Sequence, residues 1–486
     1  MKVRTRFAPS PTGSPHIGNI RTAVFDYLFA KHSDGDFILR VEDTDRTRYV
    51  EHSLNDMMTG LKWMGLDWNE GPEVGGKFGS YFQSERLDLY NKYAKQLLDE
   101  GKAYYCFCTK ERLEKLRESQ TALKQPPGYD RCCRDLTPDE ISNKLKENFN
   151  PVIRFKMKRE GETVFQDVVR GSVTFQNQLE DDFIIIKADG FPTYHFASII
   201  DDKFMEITHV IRGEEWISSA PKHLQLYEAF DWNPPIWVHP PLILDEKGKK
   251  LSKRSDTSTA FMSYIEDGYL PEAMLNFLAT MGWSSGEDKK LFTKKELIEK
   301  FSLEGIVNHP AIFDILKLRD LNGEYIRLKT PVELMELILP FMQKADLISC
   351  NPTDIEMNYL LEITKLIQDR LVTLSEASHL AAFFYGDLSE YEEKGIKHFK
   401  KENFKSIAMN IKGNLENITD WTIENVELAV RKVAEDLGIK PAEVIHPTRM
   451  AITGRTWGPG LFEIIYVVGQ DKCIQRFEKA IHMMFH

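Results

Sequence analysis

The chain has 486 residues, 42% apolar and 11% aromatic, enough to fill the cores of about three domains and too rich in aromatics for a disordered chain. A net charge of −11 weighs against a general polyanion binder, yet leaves room for a local basic face that meets nucleic acid. No stretch approaches the ~18 apolar residues of a membrane span and MKVRTRF carries no apolar leader, so a cytosolic protein is expected, with cysteines that read as core packing or a metal clip rather than disulfides.

At the start, Val3, Thr5 and Phe7 alternate with Lys2, Arg4 and Arg6, which predicts a strand. Pro9, Pro11, Gly13 and Pro15 then forbid any regular element until Ile17. Ile20, Ala23, Val24, Tyr27 and Leu28 follow at helical spacing, with Gly35 as the stop. The run FILRV, Phe37 to Val41, predicts a second, fully buried strand that ends on Glu42, Asp43 and Asp45. A helix start and a carboxylate cluster therefore meet at the carboxyl edge of a parallel sheet, where open α/β folds bind ligands. Gly18 lets an anion approach the backbone there, and His16 can donate to it.

Further on, Cys106 and Cys108 stand in YYCFCTKERL, and Cys132 and Cys133 in PPGYDRCCRDL. A strand is predicted at PPLIL, Pro240 to Leu244, before the polar loop DEKGKKLSKRSD with Lys247, Lys249, Lys250, Lys253 and Arg254. GYLPEAMLNFLATMGWSS and FDILKLRDLNGEYIRL read as helices joined by short turns. In NVELAVRKVAEDLGIKPAE, Val426, Ala429, Val430, Val433, Ala434 and Leu437 share one helix face, Gly438 stops the helix and Pro441 opens the next. Alone, an H-x-G triplet is an ordinary βα loop and a lysine-rich loop is a solvated one. Their pairing changes the reading.

HIGN at His16 to Asn19 and KLSKR at Lys250 to Arg254 resemble the two signatures of class I aminoacyl-tRNA synthetases. RFAPSPTG, RVEDTDRTR, GFPTYHFAS, HVIRGEEWISS and AITGRTWGPGLFE narrow the resemblance to bacterial glutamyl-tRNA synthetases, over essentially the whole chain. Two positions depart from the common pattern: Asn19 stands where a second histidine is usual, and Ser198 where many members carry asparagine.

The resemblance implies an α/β Rossmann-like parallel-sheet catalytic domain with an α+β insertion, followed by an all-α C-terminal anticodon-binding region. It divides the chain into a first catalytic half (1–85), an insertion receiving the tRNA acceptor end (86–190), a second catalytic half with the lysine loop (191–256), a connecting helical domain (257–328) and the anticodon-binding region (329–486). It implies a monomer away from membranes that uses ATP and Mg²⁺ to join L-glutamate to the 3′-terminal adenosine of tRNA(Glu) through a glutamyl-adenylate. A non-discriminating form that also charges tRNA(Gln) is the alternative. Truncated paralogues that modify a tRNA base lack the helical C-terminal third, and a non-catalytic homologue would have lost His16 or the signature lysines.

By match to the family motifs, His16, Lys250 and Lys253 are catalytic, and His16, Gly18, Asn19, Lys250, Ser252, Lys253 and Arg254 bind ATP. Arg6, Ala8, Ser10, Glu42, Tyr194, Ser198 and Arg212 bind glutamate, with Glu42 accepting from the ammonium and Arg212 facing the side-chain carboxylate. Arg449, Arg455 and Trp457 read the anticodon. Some members hold zinc by a C-x-C pair and a later C-x-H or Y-x₃-C pair. Cys106, Cys108, Tyr129 and Cys133 stand in that register, with Arg134 at the histidine position and Cys132 as an alternative donor. A zinc site and a metal-free knuckle both stay open.

Overall fold

The computed structural model describes residues 2–485 apart from 49, 148–149, 252–259, 389 and 400–402. Two compact units result, one of Met1–Tyr264 with Pro271–Ile315, the other of Ile265–Leu270 with Leu316–His486. The divisions fall inside the predicted connecting region.

In the first unit, β1 (Arg4–Phe7) and β2 (Asp36–Leu39) pair in parallel with Arg4 opposite Asp36, joined by the crossover helix α1 (Ile17–His32). Five strands follow in the insertion: β3 (Ala103–Cys106), β4 (Val152–Phe155), β5 (Glu162–Asp167), β6 (Gly171–Gln176) and β7 (Ile184–Ile186). β3, β4 and β7 form an antiparallel sheet with a bulge at Ile153 and Arg154. The β5–β6 hairpin meets the parallel pair β8 (His209–Ile211) and β9 (Ile236–Val238) where Asp167 lies opposite Trp237. The Thr208 amide donates to the Arg4 carbonyl at 3.0 Å and so sets β8 beside β1. The two halves of the parallel sheet thus close around a long insertion.

β1 forms where the alternation predicts a strand, and all four of its residues are buried. The arginines are tolerated because each has a partner. Arg4 donates to Glu70 and Asp36, and Arg6 to Asp202. α1 is likewise buried around most of its circumference, as a helix packed into an α/β core must be. Its stop differs from the expectation. Asp34, at φ 49°, makes the left-handed turn, whereas Gly35 serves close packing, since a Cβ there would meet the Val3 carbonyl oxygen at 2.4 Å. The strand predicted at PPLIL shrinks to Ile243–Leu244, paired in parallel with Ala311–Ile312, because Pro240 and Pro241 have no N–H to donate.

The second unit is helical. Pro331–Lys344 and Asp354–Ile367 each open on a capping box, Thr330 with Glu333 and Thr353 with Glu356. Helix Ile423–Asp436 buries Val426, Val430, Val433 and Ala434 and leaves Ala429 and Leu437 half-buried; Gly438 turns at φ 63° and Pro441 is the first residue of the next helix. Among the described residues no helix is long and apolar enough to cross a membrane.

Candidate active site

The carboxyl ends of β1, β2 and β8 open on a cavity of about 790 Å³. Chain geometry delivers its walls: Ala8 follows β1, Glu42 lies three residues past β2, and Arg212 directly follows β8. The Arg40 amide donates to the Phe7 carbonyl and the Glu42 amide to the Pro9 carbonyl, which stitches the first two loops together.

At one end stands the start of α1. His16 caps the helix, its Nδ1 accepting from the Gly18 amide at 3.1 Å, so the neutral ring carries its proton on Nε2. Gly18 leaves room for this arrangement, since a Cβ would sit 3.3 Å from His16 Nδ1 and crowd the ring. Asn19 and Lys250 also line the cavity, with Lys250 Nζ 3.4 Å from Glu215. Ser252, Lys253 and Arg254 lie outside the described residues.

The other end is a buried ionic network. Helix α2 (Tyr194–Phe204) presents Tyr194, Ser198, Asp201 and Asp202 from neighbouring turns. Asp202 accepts from Arg6 Nε at 3.0 Å and Arg40 Nη1 at 2.6 Å, while Glu42 accepts from Arg40 Nη2 at 3.0 Å and Gln83 at 3.4 Å. Asp201 takes Gln83, Arg86 and Tyr90. Burial pushes the Glu42 carboxyl up to about 7 against the pull of Arg40 and Arg6. The same burial acts on Asp202, but its two guanidiniums hold it below the usual carboxylate range.

Arg212 differs from the other buried arginines of this network. It is 5% exposed, lines the cavity, and touches only neutral acceptors. Nε donates to His239 Nε2 at 3.0 Å, Nη1 to His223 Nδ1 at 3.3 Å and Tyr194 Oη at 3.5 Å, and Nη2 to the Trp216 carbonyl at 3.3 Å. The guanidinium stacks over Trp237 at 4.6 Å. Burial lowers its pKa, and no carboxylate is among its hydrogen-bond partners.

Of the predicted glutamate residues, Arg6, Ala8, Ser10, Glu42, Tyr194 and Arg212 share the cavity lining. Ser198 does not; its Oγ accepts from Arg40 Nη2 at 3.3 Å. Sequence reasoning missed Arg40, Asp202, Arg21 and Asp26. Arg21, also in the lining, donates to the Pro241 and Met281 carbonyls, and burial lowers it to about 10. Asp26, fully buried in the same wall, has both carboxyl oxygens without a hydrogen bond and is raised well above the usual range by burial. Arg40 had a visible signal, a charge inside the apolar run FILRV.

In the insertion, the Cys106, Cys108 and Cys133 sulfurs lie within 4.8 Å of one another. Tyr129 Oη is 3.3 Å from Cys106 and 3.6 Å from Cys108, and Cys132 Sγ is 3.3 Å from Cys108. A hydrogen bond with Cys133, aided by burial, pushes the Cys106 thiol up to about 12. Three sulfurs with a fourth donor from Tyr129 or Cys132 match the donor set of tetrahedral zinc.

In the helical unit, Arg455 donates to the His379 carbonyl at 2.7 Å and stacks at 5.1 Å on the partly exposed Trp457. Arg449 is tied to the Pro459 carbonyl at 2.8 Å.

Parallel strands with a helix-start cap and a buried ionic pocket define a class I tRNA-synthetase catalytic domain. A family model described as "tRNA synthetases class I (E and Q), catalytic domain" matches residues 2–320, and "Anticodon binding domain" matches 333–481. Glutamate–tRNA ligases of Dehalococcoides mccartyi and Moorella thermoacetica are 45% and 44% identical, over 99% of this chain and 98% of each relative. A crystal structure of a glutamate tRNA ligase from Elizabethkingia meningosepticum, in complex with its amino acid, superposes with a TM-score of 0.91 at 34% identity over the whole of both chains. Glutamate-tRNA synthetase from Elizabethkingia anophelis gives 0.89 at 35% identity, over 99% of this chain and 100% of that one. The chain belongs to the glutamate–tRNA ligase family.

Proposed function

We propose that the protein joins L-glutamate to the 3′-terminal adenosine of tRNA(Glu) in two steps at this cavity. The glutamate α-carboxylate attacks the α-phosphorus of ATP, the bond to the bridging oxygen breaks, and pyrophosphate leaves with that electron pair. The terminal ribose hydroxyl then attacks the acyl carbon and AMP departs. Neither step needs a protein nucleophile, so the protein's task is to position two anions and neutralise growing charge. His16 Nε2, Gly18 and Asn19 hold one side of the triphosphate, while Lys250, Ser252, Lys253 and Arg254 close on the other. Mg²⁺ bound to the nucleotide would supply charge neutralisation at the phosphate oxygens. Glu42 accepts from the substrate ammonium, while Arg6, Ala8, Ser10 and Tyr194 complete the pocket.

The observation that carries this reading is Arg212, a buried cation in the cavity wall with only neutral acceptors around it. An all-donor fork suits a second carboxylate and leaves a glutamine amide facing like donors. The test is Arg212→Gln in an aminoacylation assay with glutamate and glutamine. Glutamate efficiency should fall by about 2 to 5 kcal/mol of transition-state binding, and the preference over glutamine should shrink or invert. An equal fall for both amino acids makes Arg212 structural.

In the helical unit, Arg449, Arg455 and Trp457 contact the anticodon loop, with Trp457 as a stacking face. The four donors Cys106, Cys108, Cys133 and Tyr129, or Cys132 in place of Tyr129, would hold a structural zinc in the insertion. Zinc would supply a rigid cross-link between the two cysteine-bearing turns. Charging assays with purified tRNA(Glu) and tRNA(Gln) separate the discriminating enzyme from one that serves both.

A further inference from the structure

Behind Arg212 lies a chain of hydrogen bonds that the two-step chemistry does not use. His239 Nδ1 is 2.7 Å from Asp167 Oδ2, and both side chains are fully buried. Asp167 Oδ1 accepts from the Val169 and Arg170 amides, each at 2.9 Å. On the other side of the guanidinium, His223 Nε2 is 3.0 Å from His195 Nδ1. We infer that Asp167 and His239 are positioning residues that fix Arg212 and keep its charge for the side-chain carboxylate of the amino-acid substrate. This inference rests on the role of Arg212 proposed above.

The argument is one of donors and acceptors. An ionised Asp167 can only accept, so His239 Nδ1 carries the proton, and its Nε2 lone pair faces Arg212 Nε–H at 3.0 Å. A protonated ring would set N–H against N–H there, so the contact requires neutral imidazole. A carboxylate in place of His239 would satisfy the same donor but would neutralise the guanidinium and compete with the substrate. Moved one imidazole away, the carboxylate sets the tautomer without forming an ion pair with Arg212. His223 repeats the device, accepting from Arg212 Nη1 on Nδ1 and passing its Nε2 proton toward His195.

The surroundings agree. Burial lowers His239 against the hydrogen bond it donates to Asp167, with Arg212 and Arg170 adding to the fall. His223 is driven well below its ordinary value by burial and then by Arg212, His195 and Arg6, and His195 falls to about 4 by burial with Lys222 and Arg212 beside it. Beyond its hydrogen-bond partners, Tyr194 among them, Arg212 faces Arg6 and Asp202 at longer range. Neutral rings therefore back the cation throughout the physiological range.

Asp167→Asn tests the relay. Asparagine keeps an oxygen for Val169 and Arg170, but its amide presents N–H to His239 Nδ1. The ring proton then moves to Nε2, opposite Arg212 Nε–H. The Michaelis constant for glutamate should rise about tenfold or more, as for a buried donor that loses its acceptor, while that for ATP and the melting temperature stay near wild type. Adding His239→Gln should restore glutamate affinity, because a glutamine oxygen can accept from Arg212 whatever residue 167 does. An unchanged glutamate constant overturns the relay. So does a rise shared by ATP that the second substitution does not rescue. If Asp167→Asn fails to fold, His239→Gln against His239→Leu decides: near wild type for the first with a raised glutamate constant for the second is expected, and equal behaviour overturns the relay. Arg212→Gln runs alongside. If it leaves the glutamate-to-glutamine ratio intact, the role of Arg212 falls and the relay with it; if it shifts the ratio while Asp167→Asn leaves glutamate affinity unchanged, only the relay falls.

Discussion

Glu42 predicts how glutamate recognition responds to pH. Its carboxyl is buried beside Arg40 and Gln83, and burial lifts its pKa to about 7. A substrate ammonium requires the ionised carboxylate, so binding competes with the proton on Glu42. The sign follows directly: the raised pKa leaves Glu42 ionised above pH 7 and protonated below it, so affinity is lost as pH falls. For a single such group the apparent Michaelis constant scales as one plus the ratio of protonated to ionised forms, which is about 1.1 at pH 8 and about 11 at pH 6. The tenfold change corresponds to about 1.4 kcal/mol. The substrate's own groups do not titrate in this interval. The assay is steady-state aminoacylation from pH 6 to 8, with ATP varied separately as a control. Glu42→Gln should weaken glutamate binding at every pH and abolish its slope. A wild-type glutamate constant that is flat between pH 6 and 8 refutes the assignment of the ammonium to Glu42.

Lys253→Ala removes the cation proposed to act in catalysis and should lower kcat about 10²-fold or more with little change in the glutamate constant; single-turnover kinetics within threefold of wild type contradict that role. Protein purified without chelator should carry about one zinc per chain by elemental analysis, and Cys106→Ser should lose it; folded, fully active, metal-free protein rules the site out. Asp202→Asn leaves Arg6 and Arg40 buried with one neutral amide between them, so stability in a urea titration should fall by about 3 to 5 kcal/mol. An unchanged midpoint refutes the shared carboxylate as a source of stability.

Local features were legible and pairings were not. Strand, turn and helix between residues 4 and 32 follow from alternation, three prolines and helical spacing, because each is settled within a few residues of chain. The cavity was legible too, since parallel strands put their following residues at one edge, and Arg6, Glu42 and Arg212 all stand there. What stayed hidden was the company these charges keep. The alternation around Arg4 and Arg6 gives a strand but not their partners, because nothing within ten residues announces Asp202, Glu70 or Asp36. The histidines behind Arg212 come from three separate segments, so HVIR and WVHPP carried no sign of belonging together. Ser198 sat in a recognised motif, yet its hydroxyl turned to Arg40, an arginine the motif does not include.

The shared carboxylate of Asp202 also has a bearing on synthesis. Arg6 and Arg40 emerge from the ribosome long before it, separated from Asp202 by 196 and 162 residues. Until then Arg6 lacks the carboxylate it donates to and Arg40 has Glu42 alone beside it, so the first βαβ unit cannot seal a dry core. The whole insertion must be made, and kept out of the way, before the nucleotide fold can shut. Commitment of this domain therefore comes with a single residue two-fifths of the way along the chain, and a ribosome stalled before it should present an open, protease-sensitive first half.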